Sequence, residues 1–174
     1  MIFGFTPFTF AHVAISLLGI LSGFIVLRGL LTSQRLDRWT LVFLLTTIYT
    51  NASGFGFPFF QVLPSHIIGA LSLVILAVAV VARYVKHMNG AWRWIYTVSA
   101  VTALYFNVFV LIVQLFRRVP SLTALAPTQS EPPFAIVQGL VFVAFAWLGV
   151  RAVKRFHPAA AGTPVSRPSV AAPH

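Results

Sequence analysis

The sequence predicts an all-α integral membrane bundle of five transmembrane helices, and three observations carry that prediction. Apolar residues make up 59% of the 174-residue chain, and its mean hydropathy is +0.91. Charged residues make up only 8%, where a soluble domain carries roughly a quarter. The apolar residues gather into stretches of about 20, the length that crosses a bilayer, separated by short basic or proline-containing turns.

The first span covers about residues 8–31 and runs into the turn that bears Arg28, Arg35 and Arg38. The second, about 39–60, opens at Trp39 and weakens into the string NASGFGFP at 51–58, which predicts a bent or unwound last turn. Pro64 suits a helix start and leads into the third span, about 65–84, closed by Arg83 and Lys86. The fourth occupies about 94–116 and reaches water at Arg117 and Arg118, and a loop with Pro120, Pro127, Glu131 and Pro132 follows. Pro133 starts the fifth, about 134–153. Residues 1–156 thus form one transmembrane domain. Residues 157–174, mostly Ala, Pro, Ser, Thr and Gly, predict a disordered cytoplasmic tail, because they bury too little apolar surface to order themselves.

Five spans put alternate turns on opposite sides. Arg28, Arg35, Arg38, Arg83, Lys86, Arg93, Arg151, Lys154, Arg155 and Arg167 then share one side, and Arg117 and Arg118 the other. Since Lys and Arg mark the cytoplasmic side, the N-terminus is expected outside and the C-terminus inside. Trp39, Tyr84, Trp92 and Trp94 fall at the inner boundary, where aromatic belts form. The net charge of +10 does not point to nucleic acid, because the basic residues flank apolar runs instead of studding a polar surface. The chain contains zero cysteines, which excludes disulfides, thiolate metal sites, Fe–S clusters and c-type haem attachment. The N-terminus lacks a basic n-region and its apolar run outlasts the usual signal length, so the first span is expected to be retained.

Polar residues inside the spans favour the outer half. His12, Ser16, Gly19 and Gly23 form one stripe on the first helix; Thr47, Thr50, Asn51 and Gly54 form one on the second; His66, Gly69, Ala70, Leu73 and Ala77 form one on the third. Ala100, Ala103, Asn107 and Gln114 align on the fourth, and Gln138 starts the fifth. Such side chains are costly against lipid and face the bundle interior. The expectation is a ligand pocket in the outer half built from His12, Thr50, Asn51, His66, Asn107, Gln114, Glu131 and Gln138. The competing expectation is close helix packing through small residues, with His12 hydrogen-bonded to a neighbour.

These residues predict a binding or accessory component with no catalytic residue, associated with the lipid bilayer and with a larger membrane complex or a second copy of itself. Three alternatives use the same residues. A b-type haem or quinone electron-transfer subunit would take His12 and His66 as axial ligands, with glycines making room for the macrocycle. A divalent metal would use His12, His66 and Glu131. A small-solute carrier would use the weak end of the second helix as a discontinuous element. No HExxH, GxSxG or phosphate-cradling loop occurs, and no acid lies inside a span to relay protons. The basic inner rim is suited to anionic lipid.

Across residues 39 to 153 the strings TNASGFGFPF, PSHIIG, ARYV, GAWRWIY, ALYFNVFVLIVQLF and APTQSEPPF resemble those of small bacterial multi-pass inner-membrane proteins to which no activity is assigned. The resemblance implies a bacterial cytoplasmic (inner) membrane location and carries no catalytic residue with it. It also implies that the outer loop, with Gln129 and Glu131, lies as a lid over the pocket. In architecture the chain is similar to helical membrane proteins that bind haem through histidines at span ends.

Overall fold

The computed structural model of the protein describes residues 6–56 and 64–158, and the side chains of residues 64–66 lie outside that description. Among the described residues every regular element is helical: α1 (Pro7–Leu31), α2 (Asp37–Gly54), α3 (Pro64–Val80, continued by a π-helical turn at Val81–Val85), α4 (Trp92–Arg118), α5 (Pro120–Leu125) and α6 (Pro132–Arg155).

Local chemistry sets the ends. Thr6 caps α1 by accepting from the Thr9 amide, with Pro7 at the first helical position. The turn that follows is tight enough to need left-handed backbone at Ser33 and Leu36, with φ 59° and 41°. Asp37 then opens α2, where a carboxylate suits the positive end of the helix dipole. At the end of α3 the Lys86 amide donates to Val81 O at 2.9 Å, an i→i+5 bond that inserts an extra residue into the turn. Ala82 and Arg83 both become buried as a result. His87, Met88 and Gly90 turn the chain back with positive φ, and prolines at 120 and 132 start α5 and α6.

Cross-helix contacts give the topology. Along the α1/α2 seam His12 meets Ser53 and Ser16 meets Thr50, while Gly23 abuts Phe43; one number rises as the other falls, so the helices are antiparallel. Asp37 with Arg83, and Asn51 beside Gly69, make α2 and α3 antiparallel. Tyr96 with Phe156, Tyr105 with Phe145 and Phe116 with Phe134 do the same for α4 and α6. Phe24 with Phe145 and Ser33 with His157 rise together, so α1 and α6 are parallel. The result is an up-and-down bundle. Turns 32–36 and 86–91 lie at one end, and α5 with its loops at the other.

The core runs down the bundle axis around α4, whose Tyr96, Ala100, Ala103 and Leu104 pack against Phe43, Leu44, Leu76 and Ala79. Large apolar side chains such as Leu21, Leu45, Ile67, Val74, Leu140 and Phe142 instead face outward, an arrangement that water penalises and lipid welcomes. Four helices are long and apolar enough to cross a membrane: α1, α3 with its π-turn, α4 and α6. The chain is accordingly a multi-pass membrane protein.

Three details differ from the sequence expectation. α2 is not among those four helices, because four threonines, Ser53, Asn51, Asp37 and Arg38 dilute its apolarity; it is nonetheless about 27 Å long by helical rise and lies beside α1 along its length. The loop at 119–132 contains a short helix, α5, where none was expected; it starts at Pro120, and Thr123 Oγ1 ties it back to Phe116 O at 2.8 Å. α2 ends at Gly54, and the continuation expected through residue 60 lies partly in 57–63, outside the described residues. Most of the tail expected to be disordered, from 159 onward, lies outside them as well.

Candidate functional site

The half of the α1/α2 seam nearest the start of α1 is a compact polar cluster. His12 Nδ1 and Ser53 Oγ are 2.8 Å apart. Ser53 Oγ also donates to Thr50 O at 3.2 Å, and Ser16 Oγ reaches both His12 O at 2.6 Å and Thr50 Oγ1 at 3.3 Å. All four residues are half-buried. Small residues make this possible: a Cβ added to Gly19 would stand 3.1 Å from Thr46 Oγ1, and one added to Gly23 2.9 Å from Phe43 Cε2. The His12–Ser16–Gly19–Gly23 stripe is therefore the face α1 presents to α2, with its lower end against α4 through Leu104.

A second seam lies next to it. Asn107, 9% exposed, donates from Nδ2 to Thr47 Oγ1 at 3.1 Å, joining α4 to α2. Asn51 Nδ2 donates to Thr47 O on its own helix at 2.8 Å, and Asn51 Oδ1 lies 3.7 Å from where a Cβ of Gly69 would be, which turns it toward the N-terminal end of α3. His66 lies one turn before Gly69 on α3, and its side chain is outside the described residues.

The remaining expected pocket residues sit elsewhere. Buried Gln138 donates from Nε2 to Phe109 O at 3.2 Å across the α4/α6 seam, and its Oε1 has no hydrogen-bond partner. Gln114 accepts from Arg118 Nε at 3.4 Å and lines, with Arg117 and Arg118, an open depression of ≈ 270 Å³. Glu131 turns its carboxylate onto its own loop: Oε1 accepts from the Thr128 amide at 3.1 Å and from Thr128 Oγ1 at 2.8 Å, and Oε2 from the Ser130 amide at 3.1 Å. Desolvation pushes that carboxyl upward, but the hydrogen bonds from Thr128 and the loop amides together hold it below the usual carboxylate range. Gln129, at φ 62°, pins the loop to α4 through Nε2 to Val113 O at 3.2 Å. The structure thus joins His12, Ser16 and Thr50 at one seam and Thr47 with Asn107 at the next, with Gln114, Glu131 and Gln138 spread around the α4/α6 side.

The haem alternative needed glycines to make room for a macrocycle between His12 and His66. At Gly19 and Gly23 that space is filled at contact distance by Thr46, Thr47, Phe43 and Leu104, so the groove at these two glycines does not fit the group; the His66 side chain lies outside the described residues. Among the described residues no three His, Asp or Glu side chains come together to hold a metal ion.

One site at the opposite end was not anticipated. Arg83 is 2% exposed. Its Nη2 donates to Asp37 Oδ1 at 2.5 Å and to Arg35 O at 3.0 Å, and its Cζ lies 4.9 Å from the Tyr96 ring centroid. Buried Tyr96 stands 3.5 Å from Thr40 Oγ1 through its hydroxyl. Sequence reasoning assigned Arg83 only to topology and gave Asp37 no role. The signal available was that Asp37 is the single acid amid six cations, Arg28, Arg35, Arg38, Arg83, Lys86 and Arg93, at the α1/α2 and α3/α4 turns, and that Arg83 precedes the apolar Tyr84 and Val85 instead of following them.

The fold and these seams define an all-helical multi-pass membrane protein. No family model, curated protein or solved structure matches the chain.

Proposed function

We propose that the chain is a five-span protein of the bacterial cytoplasmic membrane, N-terminus outside, that serves as a binding or accessory component of a larger membrane assembly or homo-oligomer. One observation carries this reading: four polar side chains of the outer half form hydrogen bonds across helix seams. His12 with Ser53, Ser16 with Thr50, Asn107 with Thr47 and Gln138 with Phe109 O each tie two helices together. Bonds of this kind contribute about 0.6 kcal/mol on average in lipid, enough in sum to fix helix register. A carrier needs such groups to line a path for its solute, and an electron-transfer subunit needs space between helices for its cofactor. The Lys and Arg at the two bundle ends support the orientation, and α2 supports a fifth span by crossing beside α1 at nearly the full depth of the hydrocarbon core, about 30 Å.

The test is extraction into native-lipid nanodiscs, followed by light scattering, a visible spectrum before and after dithionite, and solute uptake in proteoliposomes. The reading expects a protein mass above that of the single 19.1 kDa chain, a featureless spectrum and no uptake. A Soret band that shifts on reduction, or uptake abolished by His12→Ala, would replace it with the electron-transfer or carrier reading.

A further inference from the structure

The basic end of the bundle has a charge balance that the chain cannot close by itself. Asp37 and Glu131 are the two acidic side chains in the entire sequence. Asp37 is engaged by Arg83 and, at 3.6 Å, by Arg35. Glu131 is held in its own loop at the far end. Among the described residues the ion pairs of Asp37 and the loop bonds of Glu131 do not involve Arg28 or Arg151, so an anion from outside the chain can serve these two.

Arg28 and Arg151 stand on adjacent helices beside a seam that also offers an acyl-chain surface. Phe24 of α1 and Phe145 of α6 meet in a tilted ring contact with centroids 6.2 Å apart, and the helices run parallel. Arg28 is one turn past Phe24, about 6 Å further along the axis, and Arg151 is about 9 Å past Phe145. The two guanidinium stems therefore leave adjacent helices within about 3 Å of the same depth. The bond from the His157 amide to Ser33 Oγ at 2.8 Å closes the same seam below them. Arg151 is further oriented by Trp147, its Cζ 4.6 Å from the ring centroid, and that indole is exposed at the depth where amphipathic rings meet headgroups. Above lie the outward-facing Leu21, Phe24 and Val143.

We propose that the α1/α6 seam at the basic end of the bundle binds an anionic glycerophospholipid, its phosphate held by Arg28 and Arg151 and its acyl chains laid along Phe24 and the exposed face of α6. Two guanidiniums suit a phosphate because each presents donors in a planar fork, and Trp147 fixes the fork of Arg151 before the lipid arrives. The site depends on the fold alone and not on the accessory role proposed above.

Native mass spectrometry of the full chain in detergent, titrated with phosphatidylglycerol or phosphatidylcholine, tests it. The wild type is expected to retain phosphatidylglycerol and not phosphatidylcholine. Arg28→Gln with Arg151→Gln should weaken retention roughly 30-fold, each single change roughly fivefold, while Arg28→Lys with Arg151→Lys keeps most of it and Arg117→Gln, at the other end, leaves it unchanged. Circular dichroism verifies that each variant is folded, and the single changes decide the matter if the double one is not. Equal retention of both lipids, or retention unaffected by the glutamines, overturns the proposal. Displacement of the lipid by millimolar inorganic phosphate would also overturn it, assigning the site to a free anion.

Discussion

Arg83 Nη2 lies 2.5 Å from Asp37 Oδ1, but the two partners stand in opposite environments: the arginine side chain is 1% exposed and the aspartate 69%. The pair joins the π-turn of α3 to the first turn of α2, and Arg83 reaches the α1/α2 turn as well through Arg35 O. Its position follows from the backbone, since the extra residue of the π-turn rotates Ala82 and Arg83 onto the buried face.

The asymmetry of burial predicts an asymmetry of mutational cost. Asp37→Asn leaves a guanidinium buried without its counter-charge, and should lower stability by about 2–3 kcal/mol, below the 3–5 of a fully buried pair because the carboxylate is solvated. Arg83→Met removes the buried charge at similar volume and leaves Asp37 to water, and should cost less. Thermal unfolding in one detergent gives the order of the two, and a reversed order would show that Arg83 acts mainly by packing.

Gly23 sets the distance between α1 and its neighbours. An alanine methyl there would stand 2.5 Å from Leu104 Cδ1 and 2.9 Å from Phe43 Cε2, and both side chains are about 1% exposed with little room to move. Gly23→Ala is expected to destabilise by about 1–3 kcal/mol, whereas Gly139→Ala, on α6 with nothing within 4 Å, should be neutral or slightly stabilising. Equal melting temperatures for the two variants would contradict the packing described.

The His12–Ser53 contact is expected to be a real coupling of modest size. A double-mutant cycle of His12→Ala and Ser53→Ala should give about 0.6 kcal/mol, and no more than about 1.7. A value indistinguishable from zero would remove His12 from the α1/α2 seam.

How much of this was legible from sequence depends on what each signal measures. Apolar run length measures the cost of exposing backbone to lipid, and it located α1, α3, α4 and α6 to within a few residues. The 100° stripe put His12, Ser16, Gly19 and Gly23 on one face, and that face is the one against α2. A stripe says nothing about which helix it meets, so a convergence of His12, Gln114 and Gln138 on one pocket could not follow from facing and depth; Gln138 bonds across the α4/α6 seam and Gln114 pairs with Arg118 on its own helix. Glu131 read as a pocket residue because it is a lone acid near the outer surface, but a carboxylate three residues after a threonine can be satisfied locally, and here it is. The Arg83 site escaped notice because a π-turn, which has no sequence signature, decides where that residue points.

Glu131 also predicts a pH dependence confined to the loop between α5 and α6. Its folded carboxyl is depressed below the ordinary range, so its contribution to loop order is fully present above that range and is lost as pH falls through the folded value. Amide exchange at Thr128 and Ser130 should accelerate on acidification, beyond the intrinsic pH effect, in the wild type and not in Glu131→Gln. Loss of loop protection as pH rises would have the wrong sign for this account.

The most direct test of the architecture uses the absence of native cysteine. Single cysteines at Gln34, Asn89 and Ser121, all exposed in turns or in α5, are labelled in intact cells with a membrane-impermeant maleimide. Five spans with the N-terminus outside predict labelling of Ser121→Cys in intact cells and of Gln34→Cys and Asn89→Cys only after permeabilisation. Labelling of Gln34→Cys and Asn89→Cys on opposite sides would show that α2 and α3 do not cross as a pair, and would contradict the five-span bundle.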